Sequence, residues 1–86
     1  MLKFVKNNLT DEGFKTLLSY LSTDTYTKVL NVTNNQLTNK SLNYILTFIT
    51  QNSILKTIYV SNNKINQIQV KKIQNILDNK FVQVVI

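Results

Sequence analysis

One eight-residue pattern recurs along this chain, each time 28 residues further on. It reads apolar, any, apolar, any, any, Asn, any, apolar, and its copies begin at Leu2, Leu30 and Ile58. A period of this length, with a short apolar strand, a fixed asparagine and an apolar corner, is typical of repeats that each hold one strand and one helix. The pattern therefore predicts a stacked array of βα units.

An amphipathic helix is predicted after each copy, because apolar residues follow at helical spacing behind a capping residue. The predicted N-caps are Thr10, Thr38 and Asn66. Gly13 sits early in the first helix, where a small residue would let the backbone approach the strand. The predicted inward-facing residues are Phe14, Leu17, Leu18 and Leu21, then Leu42, Ile45, Leu46 and Ile49, then Val70, Ile73 and Leu77.

The third helix carries Gln74 where the first two carry Leu18 and Leu46. A terminal repeat needs a polar outer face to stay in solution. We therefore expect Gln74 to lie along a polar edge of the last helix.

Strands are predicted at residues 2–5, 29–32, 57–60 and 84–86, and the last of these is a truncated fourth strand. Right-handed crossovers would place all three helices on one side of a parallel sheet. The predicted fold is α/β: a short right-handed βα solenoid with a parallel sheet of three to four strands. It forms a single domain, 1–86, with units 1–27, 28–55 and 56–83 followed by the strand 84–86.

The fixed asparagine of each unit has a predicted structural role. Tight turns after the strands leave backbone groups without ladder partners, and an Asn side chain can both donate to a carbonyl and accept from an amide. Asn7, Asn35 and Asn63 are therefore expected to stack as a ladder of hydrogen bonds through the array.

The segment 7–14 reads Asn-Asn-Leu-Thr-Asp-Glu-Gly-Phe and is followed by Leu17 and Leu21. It resembles the ribonuclease-inhibitor type of leucine-rich repeat, and the resemblance extends over essentially the whole chain. Asp-Glu-Gly occurs only in the first unit; Asn-Lys-Ser at 39–41 and Gln-Ile-Gln at 67–69 replace it. The resemblance implies binding of protein partners on the concave face of the sheet and no catalytic residues.

The strand residues that alternate with the core would point to that concave face. Tyr59 is the one aromatic residue among them and is a candidate binding hot spot, although a solvated strand tyrosine explains it equally well. The predicted partner-binding residues form two rows, Lys3, Asn31 and Tyr59, and Val5, Thr33 and Ser61, with Val29 and Thr57 in a third.

Composition disfavours several other functions. The chain has no Cys and no His, so disulfides and Cys or His metal sites are excluded, and a reducing compartment such as the cytoplasm is expected. Only four acidic residues are present, and Asp11 and Glu12 suit the start of a helix. With one Gly, no phosphate-binding loop can form. We expect no enzymatic activity, no cofactor and no metal.

The net charge of +6 comes from 10 Lys without any Arg. These lysines are scattered along the sequence, whereas nucleic-acid recognition usually concentrates basic residues and relies on Arg. A weak lysine-dependent contact with polyanions stays open as an alternative. No apolar run approaches the roughly 20 residues of a membrane span.

Both ends of the predicted sheet would carry open hydrogen-bonding edges, which favours a homo-oligomer. A marginally stable monomer is the alternative. The sequence thus favours a protein-interaction module, with a self-associating structural repeat protein as the first rival. It names neither the partner nor the pathway, and it leaves open secretion as an effector and membership in a longer repeat array.

Overall fold

The computed structural model describes residues 1–24, 26–49, 54–78 and 82–86, and for Ile49 the backbone alone. Strand and helix alternate along the described chain: β1 (Leu2–Lys3), α1 (Asp11–Leu21), β2 (Val29–Asn31), α2 (Asn39–Ile49), β3 (Thr57–Tyr59), α3 (Gln67–Leu77) and β4 (Gln83–Val85). The strands form one parallel sheet in the order β1-β2-β3-β4. The predicted α/β class, with a parallel sheet and three helices, is confirmed.

One face of the sheet is covered and the other is open. Leu30, Ile58 and Val84 stand side by side on neighbouring strands and are all buried. Asn31 and Tyr59, which follow in sequence and point the other way, are only half-buried. The helices pack against one another, since α1 contacts α2 and α2 contacts α3, and α3 also contacts β4.

The core lies between the sheet and the helices. Most predicted inward-facing residues belong to it, whereas Leu17 and Leu46 are only partly buried, and the side chain of Ile49 lies outside the described residues. The fully buried large side chains are Phe14, Leu18, Leu21, Leu30, Val32, Leu37, Leu42, Ile45, Leu55, Ile58, Val60 and Leu77.

Each helix begins where its capping residue was predicted. The side-chain oxygen of Thr10 accepts from the backbone N–H three residues on, at 3.3 Å. The side-chain oxygens of Thr38 and Asn66 accept from the N–H two residues on, at 3.3 Å and 2.7 Å. These bonds satisfy donors that a helix cannot satisfy within itself.

Gly13 has a different role from the one predicted. A Cβ at this position would lie 2.8 Å from Cδ1 of Leu9, which is the apolar corner before α1. The glycine therefore makes room for the Leu9 side chain and not for the strand backbone.

The predicted bounds of the first three strands were one or two residues too long, because the chain turns earlier toward each fixed asparagine. The fourth strand was placed one residue too late. It runs from Gln83 to Val85, and Val84 pairs with Ile58, whereas a strand that begins at residue 84 and is aligned with the predicted strand 57–60 would put Val84 opposite Thr57. A slip of one residue exchanges the two faces of a strand. Val84 belongs to the core, as does Val82, which lies two residues earlier and is also buried.

The turns after the strands share one backbone conformation. Lys6, Asn34 and Asn62 have φ values of 60°, 60° and 56°, at positions 28 residues apart. This left-handed conformation is uncommon for residues with a side chain, and Asn adopts it more readily than most. Each of these three residues immediately precedes one of the fixed asparagines, and Asn8, with a φ of 52°, is left-handed as well.

Asn35 ties its own turn to the turn of the preceding unit. Its Oδ1 accepts from the backbone N–H groups of Asn7 and Leu9, at 3.0 Å and 2.9 Å. Its Nδ2 donates to the carbonyls of Phe4 and Val32, at 2.5 Å and 2.9 Å. One side chain thus satisfies backbone groups of two successive turns.

Asn63 makes the same contacts one unit further on. Its Oδ1 accepts from the N–H groups of Asn35 and Leu37, at 3.2 Å and 3.0 Å. Its Nδ2 donates to the carbonyls of Val32 and Val60, each at 3.0 Å. The ladder is directional, because each asparagine serves the turn before its own. Asn7 stands at the exposed first position, where the described chain has no earlier turn.

We expect Asn35→Ala to lower the free energy of unfolding by about 1–3 kcal/mol, because backbone groups of two turns lose their partners. Asn7→Ala is the matched control and should be nearly neutral, since its side chain serves no earlier turn. Urea denaturation of the two variants and the wild type measures the difference. Equal losses from both substitutions, or none from either, would contradict the ladder.

Candidate functional site

The open face of the sheet brings the predicted binding residues together. Lys3 pairs with Asn31, Asn31 with Tyr59, and Tyr59 with Val85, so these four residues form one continuous row across the strands. Lys3 is exposed and the other three are half-buried. Val85 was missing from the predicted row because the fourth strand had been assigned the wrong register.

A second row lies just beyond the strand ends. Val5, Thr33 and Ser61 are half-buried here. The carbonyl of Thr33 accepts from the N–H of Lys6 at 3.3 Å, and that of Ser61 accepts from the N–H of Asn34 at 3.0 Å. These bonds hold neighbouring turns of the second row side by side, and each residue of this row follows a residue of the first row by two positions in the chain.

A third row flanks the first on its other side. Val29 pairs with Thr57, and Thr57 pairs with Gln83. Thr57 and Gln83 also line a shallow depression together with Lys56, Asp78 and Val82. The open face therefore continues into a small hollow that carries one residue of each charge.

The central row is polar at one end and apolar at the other. Asn31 is held in place, because its Oδ1 accepts from the N–H of Thr33 at 3.0 Å. Tyr59 lies between Asn31 and Val85, so its ring has a polar neighbour on one side and an apolar neighbour on the other. Lys3 is the single charged residue of the three rows. This surface suits mixed polar and apolar contact more than binding of a highly charged ligand.

Asp11 connects α1 to the beginning of α2. Its carboxylate accepts from the backbone N–H and the hydroxyl of Thr38, at 2.8 Å and 2.6 Å, and from the hydroxyl of Ser41 at 2.5 Å. Burial by itself raises the pKa of Asp11, but the hydrogen bonds from Ser41 and Thr38, with the charge of Lys40, bring this pKa below its ordinary value. Asp11 lies in the first turn of α1, as predicted, and its carboxylate also bonds to the start of α2.

Asn39 repeats this contact 28 residues later, where its Oδ1 accepts from the N–H of Asn66 at 2.9 Å. Asp11 and Asn39 thus form a second set of bonds between units, which runs toward the following unit. The sequence signal was the presence of a side-chain oxygen at both positions. It was overlooked because an acidic residue at the start of a helix already has a local explanation.

The other acidic residues also have partners within the chain. Glu12 accepts from the Tyr44 hydroxyl at 3.1 Å, and this hydrogen bond is the main reason why the pKa of Tyr44 lies above its usual value. The ammonium of Lys15 lies 5.5 Å from the centre of the same ring. Asp78 accepts from the side-chain amide of Gln74 at 2.8 Å.

Asp24 closes the turn after α1. Its carboxylate accepts from the hydroxyl of Thr27 at 2.7 Å and from the N–H of Tyr26 at 2.6 Å. These hydrogen bonds, that from the Thr27 hydroxyl first, lower the pKa of Asp24. Each of the four acidic residues in the sequence therefore accepts hydrogen bonds from this chain itself.

Among residues 1–24, 26–49, 54–78 and 82–86, no group of three His, Cys, Asp or Glu comes close enough together to hold a metal ion. In the same part of the chain, no helix is long and apolar enough to cross a membrane.

No protein-family model matches this chain, and no curated protein matches it.

We expect the contribution of Asp11 to stability to depend on pH. Because its pKa is lowered in the folded protein, the stabilisation is present above about pH 4, where an unfolded Asp is charged, and disappears as pH falls through the lowered value. Asp11→Asn should remove this part of the acid dependence. Urea denaturation at several values between about pH 2 and pH 7 measures it.

Ser41→Ala is the matched control, since it keeps the carboxylate and removes one of its hydrogen bonds. It should reduce the acid dependence without abolishing it. Identical acid dependence in the wild type and Asp11→Asn would contradict this role for Asp11.

Proposed function

We propose that this protein is a short right-handed βα solenoid of the leucine-rich-repeat type. Support comes from contacts that recur at the spacing of the sequence repeat. Asn35 bonds to the backbone of Asn7, and Asn63 bonds to the backbone of Asn35, each 28 residues away. The same proposal explains the left-handed turn residues and the in-register pairing of the strands.

Within that class, the ribonuclease-inhibitor type fits the sequence best. The Asp-Glu-Gly segment of the first unit supports the assignment, and both Asp11 and Gly13 have specific contacts. The later units lack this segment, although Asn39 retains an acceptor at the position of Asp11.

We infer that the molecule is a non-catalytic interaction module that binds another protein through the open face of the sheet. The observation that carries this proposal is the row from Lys3 through Asn31 and Tyr59 to Val85, on the sheet face whose side chains stay exposed or half-buried. Tyr59 lies inside the row, and a tyrosine supplies a large contact area together with a polar hydroxyl. The six predicted binding residues are the proposed contact surface.

The hydrogen bonding of the acidic residues supports a function without catalysis. Catalytic nucleophiles need a nearby base, and the chain has no His. Asp11, Glu12, Asp24 and Asp78 are all engaged as acceptors within the fold. The proposed module acts by contact alone and requires no cofactor. A cytoplasmic location stays a prediction.

Binding of polyanions is the weaker candidate. Lys3 is the one lysine in the three rows of the open face, and Lys15 lies over Tyr44 on the outer side of the helices. Phosphate binding gains from several cations that point to one place.

Tyr59→Ala should weaken binding of the partner by about 2 kcal/mol or more, which is roughly 30-fold, if Tyr59 is the anchor of the contact. Asn31→Lys should also weaken it, because a long cation replaces a fixed amide in the middle of the row. The partner is first identified by co-purification with the wild type, and its affinity for each variant is then measured by calorimetry.

Tyr26→Ala is the matched control, since Tyr26 is 88% exposed and lies outside the three rows. It should leave the affinity unchanged. A partner that tolerates both open-face variants would rule out this face as its binding site.

A further inference from the structure

The side chain of Gln74 bonds to the last strand. Its Nε2 donates to the carbonyl of Val82 at 2.7 Å, and its Oε1 accepts from the N–H of Val84 at 2.8 Å. One amide thus contacts the carbonyl of the residue just before β4 and, two residues later, an N–H within it. A neighbouring β-strand offers this combination of one donor and one acceptor.

These two bonds lie on the outer edge of the sheet. Gln83 donates its N–H to the carbonyl of Lys56, and the carbonyl of Val85 accepts from Val60, both at 2.8 Å. Gln83 and Val85 therefore direct their backbone groups toward β3. Since alternate residues of a strand direct these groups to opposite sides, those of Val82 and Val84 point away from β3. Gln74 occupies the edge where a fifth strand would pair.

The position of Gln74 makes this contact specific to the last unit. The corresponding residues of the first two helices are Leu18, which is 1% exposed, and Leu46, which packs against the core. In those units a further strand follows in the sheet. The amide at the predicted polar edge of α3 thus bonds to Val82 and Val84 as well as to Asp78. The sheet edge that was expected to be open at this end is occupied by these bonds.

The opposite end of the sheet has no comparable cover within the described residues. Phe4 donates its N–H to the carbonyl of Asn31 at 2.8 Å, so Phe4 faces β2. By the same alternation, Lys3 and Val5 direct their backbone groups to the free edge of β1. Exposed edges of this kind pair readily with another strand.

The two edges are complementary to each other. In each strand pair, β1 with β2, β2 with β3 and β3 with β4, the edge that faces the next strand of the sequence bonds in parallel register to the edge that faces the previous strand. The outer edge of β4 is of the first kind, and the outer edge of β1 is of the second kind. A second copy of this chain could therefore extend the sheet by placing its β1 beside β4.

We propose that Gln74 prevents a second copy of the protein from pairing its β1 with the outer edge of β4. Its amide holds two backbone groups of β4 that β1 of another copy would otherwise need, so that head-to-tail stacking is blocked while the contact persists. Loss of the contact would let the sheet continue from one copy into the next. Head-to-tail contacts that do not close into a ring generate filaments.

Gln74→Met tests the proposal, because methionine keeps the length of the side chain and removes the hydrogen bonds to Val82 and Val84, together with the one to Asp78. Sedimentation velocity should give 10 kDa for the wild type and masses that rise with concentration in multiples of 10 kDa for the variant. Gln69→Met is the matched control, since it makes the same chemical change on the same helix, and it should stay at 10 kDa.

A second substitution separates edge pairing from general stickiness. Proline at position 3 has no N–H, and Lys3 directs its N–H to the free edge of β1. The double variant Gln74→Met with Lys3→Pro should therefore return to 10 kDa. Amide exchange at Val84 in this double variant should be about tenfold faster than in the wild type, because the bond from Gln74 is gone.

Three results would overturn the proposal. If the Gln74→Met variant stays monomeric or fails to fold, the role of Gln74 is only to stabilise β4 within its own chain. A wild type that assembles as strongly as the variant would show that the amide blocks nothing. Assembly that persists in the double variant would show that β1 is not the strand that docks.

Discussion

The structure depends on how the turns after the strands satisfy their backbone groups. A strand of three residues makes few backbone hydrogen bonds, and a left-handed residue follows the end of β2 and of β3 by three positions. Asn35 and Asn63 accept and donate at this point, each for two turns together. The apolar core beneath can form only because the polar groups at its rim are paired.

Two sets of side-chain bonds cross each boundary between units, and they run in opposite directions. Asn35 reaches back to the turn that contains Asn7, while Asp11 reaches forward to Thr38 at the start of the next helix. Each boundary is thus fastened both at the turn and at the helix. A unit taken alone would lose both sets of partners together with its apolar neighbours, which is the general reason why arrays of repeats fold cooperatively.

Much of the fold followed from local patterns. Alternating apolar residues located the strands, helical spacing located Phe14, Leu18 and Leu21, and Thr10 marked the start of a helix, because each signal lies within a few residues of the element it defines. The fixed asparagines could be recognised because they recur in one register. The rows of the open face followed from the same register.

The features that were not predicted from the sequence depend on contacts between residues that are distant in the chain. The bonds of Asp11 to the next helix and of Gln74 to β4 join residues that a local reading treats separately. Gly13 was matched to the wrong neighbour for the same reason. The register of β4 was misjudged because the connection before it is shorter: Ile58 and Val84 are 26 residues apart, whereas Leu30 and Ile58 are 28 apart.

The Gln74 contact limits where a further unit could be inserted. A copy of the third unit would place a second Gln74 in the interior, where the next strand would take the backbone partners at residues 82 and 84 and leave the half-buried amide with Asp78 alone. A copy of the second unit avoids this loss, because Leu46 stands at the position of Gln74 and packs against the core. Its asparagine, Asn35, supplies the bonds to the turn of the preceding unit. Insertion of a further unit after the second is therefore less costly than insertion after the third.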